Sequence, residues 1–318
     1  MRDLPERPVS EREALFHRAG VQRLSAQVGM PSPRNIWQTA VHAYKAYELY
    51  LMDRLPDAVE ATRIALRHAH AGDGLPNLLY IASAELEARD HAQIVERPPF
   101  TFELPAGSPN TAGIVALTDK HAQRLERMLQ FERVPTMFTV LAADSLVELS
   151  NSPHGYLAPK EPFYKVCVVD DPEAPPDDLS RALTHEYMHV ITGELTGDRS
   201  PRWVLEGVAE WAELEVSDEG ELDQLELMPG EVPKLNEIEG IFWSGMSVAE
   251  EPMQYAYAGA YSAVEFLIER HGMFDVREFM VLLATQPEGK AFKRAFDESR
   301  GSFERAWRRM LKERPREE

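Results

Sequence analysis

Two histidines and a glutamate carry the most specific chemistry in the chain. Residues 182–192 read ALTHEYMHVIT, and the segment HEYMH at 185–189 matches the pattern H-E-x-x-H. Positions i and i+4 of an α-helix share one face, so His185 and His189 can each offer a ring nitrogen to a single ion. Glu186 lies about 100° further round such a helix, where a carboxylate touches a metal-bound water without ligating the metal. Neutral imidazoles suit zinc, and a catalytic zinc site uses three protein ligands plus water. The pentapeptide therefore leaves one ligand to be found. Residues 190–200 contain no histidine, but PRWVLEGVAEW follows at 201–211 and sets Glu206 and Glu210 one helical turn apart. Glu206 comes 17 positions after His189, a separation that a loop and one helical turn can fold back over the first helix.

Two helices must hold these groups. For the first, Asp177 or Asp178 can cap the start, Leu179, Leu183 and Val190 give an apolar face, and neither Gly nor Pro intervenes before Gly193. Pro201 opens the second. Ahead of them, RPPFTFELPAGSPN reads as a proline-rich linker followed by a strand with Phe100, Phe102 and Leu104 in alternation. A helix is expected at 118–132, and strands at 136–142 and 163–169. From 177 onward the pattern is helical, with irregular stretches around 217–250. Strands first and helices later imply an α+β domain. Residues 1–95 read as almost wholly helical, beginning after Ser10 and continuing through Trp37 to Leu51, a helix opened at Pro56 and ended by AGDG at 71–74, and Leu78 to Ala88. The expected organisation is a helical region at 1–96 and a catalytic α+β domain at 97–318.

HEYMH followed by WVLEGVAEW resembles the peptidase MA-like group of gluzincin zinc metallopeptidases, which show an HExxH helix and then W-L-x-E-G-x-A-E-Y. The resemblance implies a zincin-like domain in which a small sheet is followed by the HExxH helix and a helical C-terminal subdomain. It implies Zn2+ as cofactor, Glu206 as third ligand beside His185 and His189, and Glu186 as general base. Glu210 is implied as the outer carboxylate that orients His185. Downstream, YAGAYSAVEFLIERHG at 257–272 is similar to the family's Y-A-x-x-Y helix, which implies Tyr257 as oxyanion donor, with Tyr255 and Tyr261 as alternatives. Upstream, strand 163–169 is implied as an edge strand that pairs with extended substrate. The resemblance spans residues 98–285; Val204, Trp211 and His271 stand where the family has leucine, tyrosine and tyrosine. The G-x-M-x-N-type element that holds a free amine in aminopeptidases is not evident, which favours an endopeptidase acting on a peptide or protein substrate. The rival reading is a non-catalytic or regulatory zinc-binding protein whose N-terminal helices recruit a partner. The pair of helices from Trp37 to His70 resembles a tetratricopeptide hairpin in Ala46, Ala58 and Ala65, but about one and a half units fall short of an array, and we read it as a generic helical hairpin.

Composition bounds these readings. The chain has 318 residues, 44% apolar and 27% charged, which is enough to bury a full core without staples. Its net charge of −19 repels phosphate backbones and anionic lipid, so neither nucleic acid nor membrane is an expected partner. One cysteine, Cys167, excludes an intramolecular disulfide and a Cys-rich zinc site and reads as a buried apolar residue. His121, His154 and His271 read as surface or structural histidines. The charged N-terminal residues show no signal-peptide core, and a cytoplasmic location is the default expectation.

Overall fold

A computed structural model of the chain describes residues 42–50, 52–68, 74–106, 111–142, 155–158, 164–170, 176–216, 233–244 and 250–313. The helix expected after Ser10, the residues around Trp37 and His154 lie outside this set. The chain forms two compact units, Met1–His91 and Ala92–Glu318.

The described part of the first unit is helical, with α1 at 42–50, α2 (Leu55–His68) and α3 (Gly74–Asp90). Ala46, Ala58 and Ala65 are all fully buried, as close helix approach requires. Tyr50 Oη donates to the buried carboxylate of Glu85. Arg89 grips Asp53 with two parallel hydrogen bonds of 2.7 and 2.9 Å.

The second unit is α+β. It runs β1 (Ala92–Arg97), β2 (Phe100–Pro105), α4 (Thr111–Leu129), β3 (Thr136–Ala142), β4 (Gly155–Ala158), β5 (Tyr164–Asp170), α5 (Pro176–Thr196), α6 (Arg202–Val216), α7 (Leu235–Ser244), α8 (Glu250–His271), α9 (Met273–Leu283), α10 (Glu288–Phe296) and α11 (Arg300–Glu313). The five strands lie in the order β1-β2-β3-β5-β4. The central pairs β2–β3 and β3–β5 are parallel, while β1 and β4 flank them antiparallel. Phe100, Phe102, Leu104, Phe138, Val140, Val166 and Val168 alternate onto one face and pack with Leu125 of α4 and Leu183, Tyr187 and Ile191 of α5. The Phe100 ring meets Tyr187 edge-on at 5.3 Å, which seats the HEYMH helix directly on the sheet. Cys167 is fully buried. Among the described residues no helix is long and apolar enough to cross a membrane.

Four local expectations are corrected. Residues 92–97 form β1, not helix: AQIVER is mostly exposed and has no clean alternation, so only its hairpin with β2 makes it a strand. Residues 235–244 form α7 within the span expected to be irregular. The four-residue strand β4 is too short to leave a periodic signal. Finally, β5 is not an edge strand. It is bonded on both sides, by β3 and β4, and the terminal position on that side belongs to β4.

Helices α6 and α8 approach through Gly207. A Cβ added there would lie 2.4 Å from the carbonyl oxygen of Ala260, well inside contact distance. We expect Gly207→Ala to cost about 1–3 kcal/mol, the usual penalty for overpacking. Denaturant unfolding reads this directly, and an unchanged midpoint would contradict the close packing.

Candidate metal centre

The HEYMH helix is held from behind by two buried networks. The Nδ1 atom of His121 on α4 lies 3.0 Å from Ser180 Oγ and 3.1 Å from Thr184 Oγ1, so His121 has a structural role. Tyr187 Oη donates to Glu126 at 2.8 Å, and Glu126 and Asp119 both take hydrogen bonds from Arg133. Arg133 in turn lies over the Phe100 ring at 4.3 Å. His271 sits remote in sequence from these residues, its Nε2 3.1 Å from Glu298, in a second structural contact.

Helix α6 begins where Pro201 takes two backbone bonds through its carbonyl, from Val204 and Leu205. Trp203 is fully buried and donates from its indole nitrogen to Glu288, which ties the start of α6 to α10. The helix therefore crosses α5 with Glu206 facing the two histidines. Glu206 Oε2 lies 3.4 Å from His189 Nε2 and 3.7 Å from His185 Nε2. The two imidazoles stand edge to face, 4.8 Å between centroids. All three residues are buried, and their ligating atoms fall within 4.8 Å of one another.

The back of His185 is as informative as its front. Its Nδ1 faces Glu210 at 3.5 Å and Glu213 at 3.4 Å. Two carboxylates there favour a proton on Nδ1, so the ring is oriented with Nε2 toward Glu206. Glu213 also accepts from Arg181 Nε at 3.1 Å. The sequence reading named Glu210 but missed Glu213 and Arg181. Their signal was the helical period itself, since Arg181, His185 and His189 repeat every four residues and Glu206, Glu210 and Glu213 follow at four and three. Among the described residues, no hydrogen-bond partner orients the buried Nδ1 of His189.

Electrostatics follow from this crowding. Burial opposes charge on His185, but its hydrogen bonds with Glu206 and Glu213 and the charge of Glu210 raise its pKa well above the ordinary histidine value. Burial likewise opposes charge on Glu206, yet the charge of His189 and the hydrogen bonds from both histidines hold its carboxyl far below the usual range. Glu186 differs. It is buried without an opposing hydrogen bond of that kind, and desolvation raises its pKa despite the attraction of both histidines. A raised carboxylate beside an ionised one is the arrangement that separates a proton acceptor from a ligand.

Of the three tyrosines, Tyr255 is half-buried on α8 and the other two are marked by their contacts. The Tyr261 hydroxyl donates to Glu265 at 2.6 Å, one turn along its own helix. Tyr257 packs against Phe242 at 5.1 Å. Burial raises the pKa of Tyr257, and so do the nearby charges of Glu206, Glu210 and Glu186.

The donor set is thus two imidazole Nε2 atoms and one carboxylate oxygen, the types found in His₂Glu zinc sites. No protein-family model matches the chain, and no match is found among curated proteins.

Proposed function

We propose that the second unit is a zinc-dependent peptidase of the gluzincin type, with a zincin-like fold, acting as an endopeptidase on peptide or protein substrate. The observation that carries this reading is the convergence of His185, His189 and Glu206 with a buried Glu186 beside them. His185, His189 and Glu206 would hold the ion. When bound, zinc supplies Lewis acidity, lowering the pKa of a water and polarising the scissile carbonyl. Glu186 takes the proton from the attacking water and hands it to the departing amine. Its desolvated surroundings make that carboxylate a stronger base than one in water. Tyr257 donates its hydroxyl proton as a hydrogen bond to the carbonyl oxygen as negative charge gathers there. Glu210 and Glu213 hold the His185 ring by its Nδ1 proton.

The extended backbone of the substrate is assigned to β4 rather than to residues 163–169. β4 is the terminal strand of the sheet and packs beside α5, the helix that carries HEYMH, so a peptide added to its outer edge would extend the sheet order on that same side.

Metal analysis of the purified chain tests the site, with about one zinc per chain expected for a single three-ligand centre. A metal-free protein in zinc-sufficient medium sinks it. Zinc present with no cleavage across a diverse peptide library would instead support a regulatory zinc-binding protein. Tyr257→Phe is expected to lower kcat by about 10²–10³-fold with KM little changed, the loss typical of one oxyanion donor. Steady-state kinetics on one cleaved peptide decides the point, and an unchanged kcat reassigns the donor.

A further inference from the structure

Helix α7 is fixed to α6 and α8 at three points. Ile238 fills the space over Gly259 of α8, where an added Cβ would lie 2.7 Å from its side chain. Phe242 packs on Tyr257. Glu239 accepts from the Trp203 backbone N–H at 3.2 Å and from the Trp243 indole N–H at 2.9 Å. Trp243 is consequently held in orientation, yet its ring is 70% exposed. Its indole face is thus available to an apolar group beside Arg202.

Arg202 occupies the gap between that ring and the cluster. Its guanidinium carbon lies 5.5 Å over the Trp243 ring, and one amino group is 3.5 Å from Glu206 Oε1. Glu206 thus turns Oε2 to the histidines and Oε1 to Arg202. The arginine side chain remains 43% exposed. A guanidinium is a rigid planar fork with five donors, and one carboxylate oxygen engages only part of it. Glu206, the carboxylate paired with Arg202, also faces both histidines through its other oxygen. A part-exposed guanidinium there favours an anionic group beside it over a neutral one.

We infer that Arg202 and Trp243 form a subsite for a carboxylate carried next to the scissile bond, either an acidic side chain or a free C-terminus. This rests on the peptidase reading above. The fork takes the carboxylate in a bidentate pair and the indole ring takes the adjoining apolar stem.

Binding separates this from turnover. The zinc-loaded Glu186→Gln protein is titrated with three fluorescent peptides of equal length, and anisotropy is recorded. The first has an internal glutamate and an amidated C-terminus, the second is neutral with a free C-terminus, and the third is neutral and amidated. We expect one carboxylate peptide to bind about tenfold tighter than the third, as a charge-assisted pair implies. Which of the first two does so identifies the source. The preference falls with added salt, disappears on introducing Arg202→Gln, and is partly kept by Arg202→Lys. Equal binding of all three peptides overturns the subsite, and so does a preference that survives Arg202→Gln. If Arg202→Gln loses zinc, Arg202→Lys decides, because an unchanged preference without the planar fork excludes bidentate recognition. Peptide binding without cleavage by the unaltered protein would count against the peptidase reading while leaving the subsite standing.

Discussion

Replacing Glu186 by glutamine is expected to abolish measurable cleavage while leaving bound zinc in place. The two side chains share a shape, and Glu186 is not among the three groups whose ligating atoms converge, so the site keeps its donors. What is lost is a base. An amide cannot take a proton from water, and a positioned acid–base group contributes about 10²–10⁴-fold to rate. The structure makes the upper part of that range the expectation. Glu186 is buried, desolvation raises its pKa, and bulk water has little access to act as a substitute. Zinc content and kcat measured on the same preparation read both halves of the claim. Normal turnover would move the base elsewhere, and a coupled loss of zinc would make Glu186 a structural part of the centre.

Glu206→Ala has the second large effect, on stability as well as metal content. The carboxylate joins three groups, since His185, His189 and Arg202 all lie within 3.7 Å of its oxygens. Its removal takes away a ligand and the partner of two buried imidazoles. A ligand held at 100–1,000 times its Kd stabilises a fold by about 2.7–4.1 kcal/mol. For a unit of this size that corresponds to roughly 6–16 °C in Tm. The unaltered protein should therefore lose about 10 °C on chelation, whereas Glu206→Ala starts low and does not respond to chelator or added zinc. Calorimetry with and without chelator checks this. A zinc-dependent Tm in the alanine variant would show that Glu206 is not a ligand.

Much of the site was legible because helical geometry is strictly periodic. His185 and His189 needed only an i, i+4 pair on a helix, while Glu206 needed its spacing after His189 together with the resemblance to the gluzincin pattern. The same periodicity reached Leu179, Leu183 and Val190, all buried. Glu213 escaped because the motif ended before it, although it stands closer to His185 Nδ1 than Glu210 does. Sheet order was not legible. Residues 163–169 read as a strand, but whether a strand is internal depends on a partner, and β4 is four residues long. β1 escaped for a related reason, since its pairing with β2 is tertiary information. α7 is marked by its contacts with Gly259, Tyr257 and the start of α6 more than by any strong pattern of its own.

The contact at Gly207 has a consequence for how such a protein could diversify. Glu206 and Tyr257 ride on two helices that touch backbone to side-chain space at Gly207 and Ala260, so no larger residue enters there without moving one helix against the other. A side chain at 207 therefore cannot be gained in a single step without a compensating shift of α8. Arg202 and Trp243 are under no such constraint, since both lie at the solvent-facing rim and neither fills the core. A lineage, or a mutational library under selection for new cleavage preferences, should collect its substitutions along the outer turn of α7 and the first turn of α6, and inherit the glycine and its two flanking functions as a single block.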